Sequence, residues 1–125
     1  MKTRFFKCRH CGNVIMKMVD SKVPVVCCGE QMEELVPNTV DASGEKHLPV
    51  LTRIDDCTLR VEVGSTPHPM LPEHHIAFIY VATEHGGRFV ALSDKPCAEI
   101  CTCGDPVVAV YEYCNLHGLW MTTPQ

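Results

Sequence analysis

From residue 50 onward, apolar and polar side chains follow the two-residue period of β-strands. Thr58–Val63 puts Leu59, Val61 and Val63 on one face and Arg60 and Glu62 on the other. Residues 50–54 read as the strand before it, with Asp55-Asp56 as the turn. Residues 64–72 form a Pro-rich loop. Ile76–Thr83 predicts a long strand rich in β-branched and aromatic residues. Glu84-His85-Gly86-Gly87 predicts a hairpin turn, and residues 88–92 the returning strand. Residues 107–113 give a last strong strand that runs straight into Cys114. No stretch combines a helical period with caps, and there is no internal repeat or low-complexity segment. Several short strands at regular spacing predict a β-sandwich.

Ahead of this region the pattern changes. Residues 1–36 are too few to bury a real core. They carry Cys8-Arg9-His10-Cys11, then fifteen intervening residues, then Cys27-Cys28-Gly29. Four thiolates in two clusters are a strong tetrahedral metal signal. Neighbouring side chains on a strand point to opposite faces, so Cys27 and Cys28 can grip one ion only if the backbone turns sharply, and Gly29 permits that. The metal would then supply much of the unit's folding energy. The pattern suits zinc and iron equally. Residues 37–49 contain Pro37-Asn38-Thr39 and Asp41-Ala42-Ser43-Gly44, the chemistry of a linker. The expected organisation is thus residues 1–36 followed by residues 37–125.

Length and charge narrow the functions. A chain of 125 residues holds one core-bearing domain with a small appendage. A net charge of −4 disfavours bulk binding to nucleic acid or to acidic membranes. No apolar run approaches the ~20 residues that a membrane helix needs. The start, Met1 to Lys7, lacks an export-type apolar stretch, so a cytoplasmic location is expected. The nine cysteines are odd in number, and several stand at metal-type spacings, which favours metal binding over disulfides.

The second candidate site gathers around Cys114-Asn115-Leu116-His117-Gly118, where a tight turn can bring a thiolate and an imidazole onto one face. Further histidines stand in constrained surroundings. His47 precedes Pro49, His68 lies between Pro67 and Pro69, and His74-His75 opens a strand where only one of the two can face a given site. Ligands on strand ends and stiff loops suit a preformed metal site. His10 and His85 read as non-ligands.

In this order and spacing, Cys8-x2-Cys11, Cys27-Cys28, Glu45-Lys46-His47-x-Pro49, His68-Pro69-Met70, His74 and Cys114-Asn115-Leu116-His117-Gly118 resemble the desulfoferrodoxin family of two-iron superoxide reductases. The resemblance runs through nearly the whole chain. It implies an all-β fold, with a small desulforedoxin-like metal-binding unit over residues 1–36 and an immunoglobulin-like β-sandwich over residues 37–125. It implies two iron ions per chain. One would be Fe(Cys)4 on Cys8, Cys11, Cys27 and Cys28. The other would be Fe(His)4(Cys), with equatorial His47, His68, His74 and His117, axial Cys114, and a sixth position open in the ferrous state. Glu45 would match the residue that can occupy that position after oxidation, and Lys46 the basic residue that guides superoxide. Superoxide would be reduced by one electron to hydrogen peroxide without dismutation. A rubredoxin-like electron donor and a homodimer are implied as well.

The sequence departs from the family pattern in two ways. His75 stands where an aromatic residue, usually Trp, follows the ligand. Cys57, Cys97, Cys101 and Cys103 are extra to both sites; they read as small apolar groups, ahead of a third metal site or a redox disulfide. Two other function classes fit parts of the chain. One is a rubredoxin-like electron carrier that works through the first centre. The other is a zinc-ribbon binding module that docks through Lys2, Arg4, Lys7 and Arg9, since residues 1–36 carry six Lys/Arg against four Asp/Glu. Neither accounts for the His/Cys set between residues 45 and 117.

Overall fold

The alternation over Thr58–Val63 forms a strand whose Leu59, Val61 and Val63 are buried, in a computed structural model that describes residues 3–40 and 44–124. The side chain of Glu45 lies outside the described residues. The chain divides into two compact units, Met1–Val36 and Pro37–Gln125.

In the first unit, β1 (Phe5–Lys7) pairs with β2 (Val14–Met16) on one side and β5 (Glu33–Leu35) on the other, all antiparallel. A second, two-stranded ribbon joins β3 (Val26–Cys27) to β4 (Glu30–Gln31). Its turn is Cys28-Gly29, with φ of 53° and 76°. Positive φ at both central residues is what a two-residue hairpin of matching twist requires. Among the described residues of this unit, only Phe5, Phe6 and Cys8 are buried apolar residues. The guanidinium of Arg4 and the ammonium of Lys17 lie 5.3 and 4.9 Å from the centre of the Phe6 ring.

The second unit is a sandwich of two antiparallel sheets. A three-stranded sheet has the order β10 (Cys97–Cys101), β7 (Thr58–Val63), β6 (Pro49–Arg53). A four-stranded sheet has the order β12 (Gly118–Thr122), β11 (Val107–Cys114), β8 (Ile76–Thr83), β9 (Gly87–Ala91). Leu59, Val61, Val63 and Ile100 from the first sheet meet Ile76, Ile79, Val81, Val110 and Cys114 from the second in one core. The register of β8 against β11 shifts near its start, where Phe78 pairs with Tyr113 but Ile76 pairs with Cys114. The extra residue, Ala77, makes a bulge that turns Ile76 and Ile79 onto the same buried face.

β10, β12 and the helical turn α1 (Gly44–His47) were not among the elements expected from the sequence. The linker expected over residues 37–49 therefore holds one turn of helix, closed by Leu48 N–H donating to the Gly44 carbonyl over 2.9 Å. One turn is too short for a helical period to register. Both extra strands are five residues long at sheet edges, where packing against a neighbour decides the conformation more than local preference does. Among the described residues, no helix is long and apolar enough to cross a membrane.

Candidate metal centres

In the first unit, the Sγ atoms of Cys8, Cys11, Cys27 and Cys28 lie within 4.8 Å of one another. Cys8 and Cys11 belong to a knuckle that leaves β1. The Cys11 N–H points to Cys8 Sγ over 3.5 Å, and the Gly12 N–H donates to the Cys8 carbonyl over 3.0 Å, with Gly12 at φ 83°. Cys27 ends β3, and Cys28 sits in the turn, so the hairpin aims two neighbouring thiols at the same point. Cys27 Sγ is 3.6 Å from Cys11 Sγ and 4.0 Å from Cys28 Sγ. Backbone N–H groups of Cys11 and His10 pull the Cys8 thiol down to about 6, whereas hydrogen bonds with Cys11 and Cys8 push Cys28 up to about 12. Four crowded thiols cannot all ionise without a cation among them, and a bound metal resolves that conflict by deprotonating its ligands. The donor set therefore fits a metal ion. His10 stays outside the group, its Nε2 2.8 Å from Glu30.

Two of the four basic residues of the expected docking patch are engaged in ion pairs. Arg4 pairs with Asp20 and Glu34, and Arg9 with Glu30 and Glu33. Lys2 lies outside the described residues.

The second group collects at one end of the sandwich. His47 closes α1, His68 sits in the β7–β8 loop, His74 just precedes β8, Cys114 ends β11, and His117 lies in the β11–β12 turn. One donor atom from each lies within 4.8 Å of the others. His47 Nε2 is 3.0 Å from His117 Nδ1 and 3.3 Å from His68 Nε2. Cys114 Sγ is 3.6 Å from His68 Nε2 and 3.8 Å from His117 Nδ1. The Nε2 of His74 is buried with no hydrogen-bond partner among the described residues. An orphaned buried nitrogen beside three imidazoles and a thiol is what a metal would satisfy.

Electrostatics point the same way. Burial pushes the His68 and His74 imidazoles down, and for His74 the positive charges of His117, His75 and Lys46 add to it. Neutral imidazoles are the metal-binding form. Burial pushes the Cys114 thiol up, opposed by backbone N–H groups of His117 and Leu116 that donate to it. A bound cation reverses that balance, since a coordinating thiol loses its proton outright.

Of the adjacent histidines, His74 joins the group while His75 turns away, its Nδ1 3.0 Å from the Leu71 carbonyl. Lys46 is exposed on α1 beside His47. His85, which lies outside both groups, pairs with Asp105 over 2.9 Å. Cys57, Cys101 and Cys103 are exposed and Cys97 is partly so. The expectation that the extra cysteines pack as small apolar groups therefore fails for Cys57, Cys101 and Cys103, whereas Cys97 is half-buried. The three exposed ones sit in a hairpin turn, at the end of an edge strand and in the loop after it.

Three further residues, two of them supporting the site, escaped the sequence reading. Trp120 stacks on His47 at 5.0 Å and 19°, and its Nε1–H donates to the His117 carbonyl over 3.0 Å. Asn115 ties the end of β11 to the His74 segment: its Oδ1 accepts from His75 N–H, and its Nδ2 donates to the Glu73 carbonyl. Glu112 is wholly buried, and neither carboxyl oxygen has a partner among the described residues. Burial pushes its carboxyl up to about 9, so it sits in the core as a neutral acid. A lone acid in the apolar run of residues 107–114 was the available signal.

Fold and sites together define a class: a two-unit, all-β protein with one four-thiolate group and one group of four imidazoles and a thiol. The family model described as Desulfoferrodoxin matches residues 39–123. A desulfoferrodoxin of Nitratidesulfovibrio vulgaris is 40% identical over 117 residues, covering 92% of this chain and 91% of that one. A superoxide reductase of Pyrococcus horikoshii is 38% identical over 102 residues, covering 64% of this chain and 86% of its own length. The crystal structure of the superoxide reductase from Treponema pallidum superposes with a TM-score of 0.80 at 33% identity, over 98% of this chain and 100% of that one. The chain belongs to the desulfoferrodoxin family.

Proposed function

We propose that this protein is a superoxide reductase, which takes superoxide to hydrogen peroxide with one electron and two protons and without dismutation. In this reading Cys8, Cys11, Cys27 and Cys28 hold one iron ion, and His47, His68, His74, Cys114 and His117 hold another. The observation that carries it is the convergence of four imidazoles and one buried thiol within 4.8 Å, in a chain of this family. Iron held by that second set would supply the electron, with the Cys114 sulfur pushing electron density onto it.

The chain's own residues prepare the site. His68 Nδ1–H donates to the Pro69 carbonyl over 2.8 Å, which fixes the tautomer that leaves Nε2 for the metal. Trp120 holds the His47 ring by stacking and the His117 turn by its hydrogen bond. Backbone N–H groups of Leu116 and His117 temper the basicity of the Cys114 sulfur. Lys46 is exposed beside these ligands and puts positive charge where an anion approaches. Glu45 precedes it in the same helical turn; we assign Lys46 to the approach of superoxide, and Glu45 would be the carboxylate available to the second iron after oxidation. We further propose a rubredoxin-like electron donor, a homodimeric assembly and a cytoplasmic setting, where nine free thiols stay reduced.

The test is anaerobic loading with iron, followed by pulses of superoxide. Two irons per chain, thiolate-to-iron absorption and one peroxide formed per superoxide are expected. Cys114→Ser should keep the absorption of the four-thiolate centre while losing both that of the second centre and rapid superoxide reduction. A colourless zinc protein would favour the binding-module reading, and an iron-loaded protein that leaves superoxide unreduced the electron-carrier reading.

A further inference from the structure

At the end of the sandwich away from Cys114, three thiols meet. Cys103 Sγ lies 2.8 Å from Cys101 Sγ and 3.4 Å from Cys57 Sγ, and all three residues are exposed. Cys57 sits in the β6–β7 turn, Cys101 ends β10, and Cys103 lies in the β10–β11 loop. Cys114 is at the opposite end of β11, about 25 Å along eight extended residues.

The backbone fixes the meeting point. Thr102 N–H donates to the Cys57 carbonyl over 2.7 Å. Asp55 Oδ1 accepts from the N–H groups of Cys57 and Thr58 over 2.8 and 2.7 Å, which sets the turn. Cys103 itself has φ 36°, in the left-handed region, and Gly104 follows at 77°. This local reversal turns Cys103 back toward both partners. The Arg53 guanidinium donates to Thr102 Oγ1 over 3.0 Å, which anchors the residue between Cys101 and Cys103.

The spacing distinguishes a bond-forming pair from a metal cage. Two thiolates on one tetrahedral ion, each at about 2.3 Å, stand about 3.8 Å apart. The Cys11–Cys27 and Cys27–Cys28 separations of 3.6 and 4.0 Å bracket that value. Cys101 and Cys103 are closer, at 2.8 Å. They are two residues apart and on one side of the chain, so a small rotation of either side chain brings sulfur to sulfur.

We propose that Cys57, Cys101 and Cys103 form a thiol redox site that hydrogen peroxide oxidises to a Cys101–Cys103 disulfide, with Cys57 as the exchange partner. An outer thiolate attacks peroxide: an S–O bond forms, the O–O bond breaks, and water leaves after protonation. The neighbouring sulfur then attacks this sulfenic acid: the S–S bond forms, the S–O bond breaks, and a second water leaves. Two thiols lose two electrons, and peroxide is reduced to two waters. Cys57 thiolate can next attack Cys103 Sγ and release Cys101, which moves the bond to the Cys57–Cys103 pair. A small dithiol reductant reverses the reaction by the same exchange. The superoxide-reductase reading enters only as the source of the peroxide.

The experiment treats reduced, iron-loaded protein with equimolar hydrogen peroxide without air, then counts thiols and maps non-reduced peptides by mass. The expected result is loss of two thiols per chain, found as Cys101–Cys103 or Cys57–Cys103 links and restored by dithiothreitol. Cys103→Ser should abolish both links. Cys57→Ser should keep the Cys101–Cys103 link, and Cys97→Ser should change nothing. Three thiols still free after treatment, single cysteines driven to sulfinic acid, or a retained zinc or copper ion shielding the trio would each overturn the proposal. Links formed by added peroxide in a protein that makes none from superoxide would sink the reductase reading alone. Peroxide formed from superoxide beside an unreactive trio would sink this inference alone.

Discussion

An imidazole serves a metal through the nitrogen it does not use elsewhere. His68 spends Nδ1 on the Pro69 carbonyl and keeps Nε2 for the group, while His75 spends Nδ1 on the Leu71 carbonyl and faces away from it. His74 Nε2 is buried with no partner among the described residues. His74→Ala should therefore abolish metal retention at the second centre through dialysis, as measured by metal analysis. His75→Ala should hold metal within about tenfold of the parent, the low end of what supporting residues contribute. The reverse result would move the ligand by one residue and with it the strand face that meets the metal. At this scale the sequence is generous with ligands and silent about their supports. Cys114 and His117 advertise themselves by spacing. Trp120 and Asn115 act through the register of β12 against β11 and through a carbonyl at Glu73, neither of which leaves a mark on a one-dimensional pattern.

At the scale of elements, two short devices aim the donors. In the first unit it is the Cys28-Gly29 turn, with both residues at positive φ. A methyl group at Gly29 would meet nothing within 4 Å, so Gly29→Ala carries only the backbone penalty of the left-handed region, about 1–2 kcal/mol. Since metal binding and folding share one free energy in so small a unit, that penalty should weaken metal retention roughly five- to thirtyfold. Competition with a chelator reads this directly. An unchanged affinity would mean that the hairpin does not limit the site. In the sandwich the device is the bulge at Ala77, which brings Ile76 opposite Cys114. The strands that alternate cleanly, β7 above all, were legible in the sequence. The bulge was not, because one extra residue shifts the period without changing composition. Nor was the edge strand β10, whose Cys-Ala-Glu-Ile-Cys run buries only Ile100 fully.

For the whole molecule, the question is how an anion reaches a protein that repels it. The chain carries 15 acidic residues against 11 Lys and Arg. In the first unit Arg4 and Arg9 are held in ion pairs, so they add little outward field. Lys46 is different, being exposed on α1 next to His47 and close enough for its charge to disfavour protonation of His74. In the proposed function two fields of opposite sign act on superoxide, a repulsive one from the net charge and an attractive one from Lys46. Salt screens exposed charges within about 8 Å at physiological strength, and either field fades as salt rises. If Lys46 dominates, the second-order rate of superoxide capture by the parent should fall with ionic strength. Lys46→Ala should be several-fold slower at low salt, and its rate should rise with ionic strength, because only the repulsion is left to screen. Pulse radiolysis over a salt series measures both slopes. Parallel slopes for the two proteins would remove Lys46 from the capture step and leave the metal centre's own charge as the attraction.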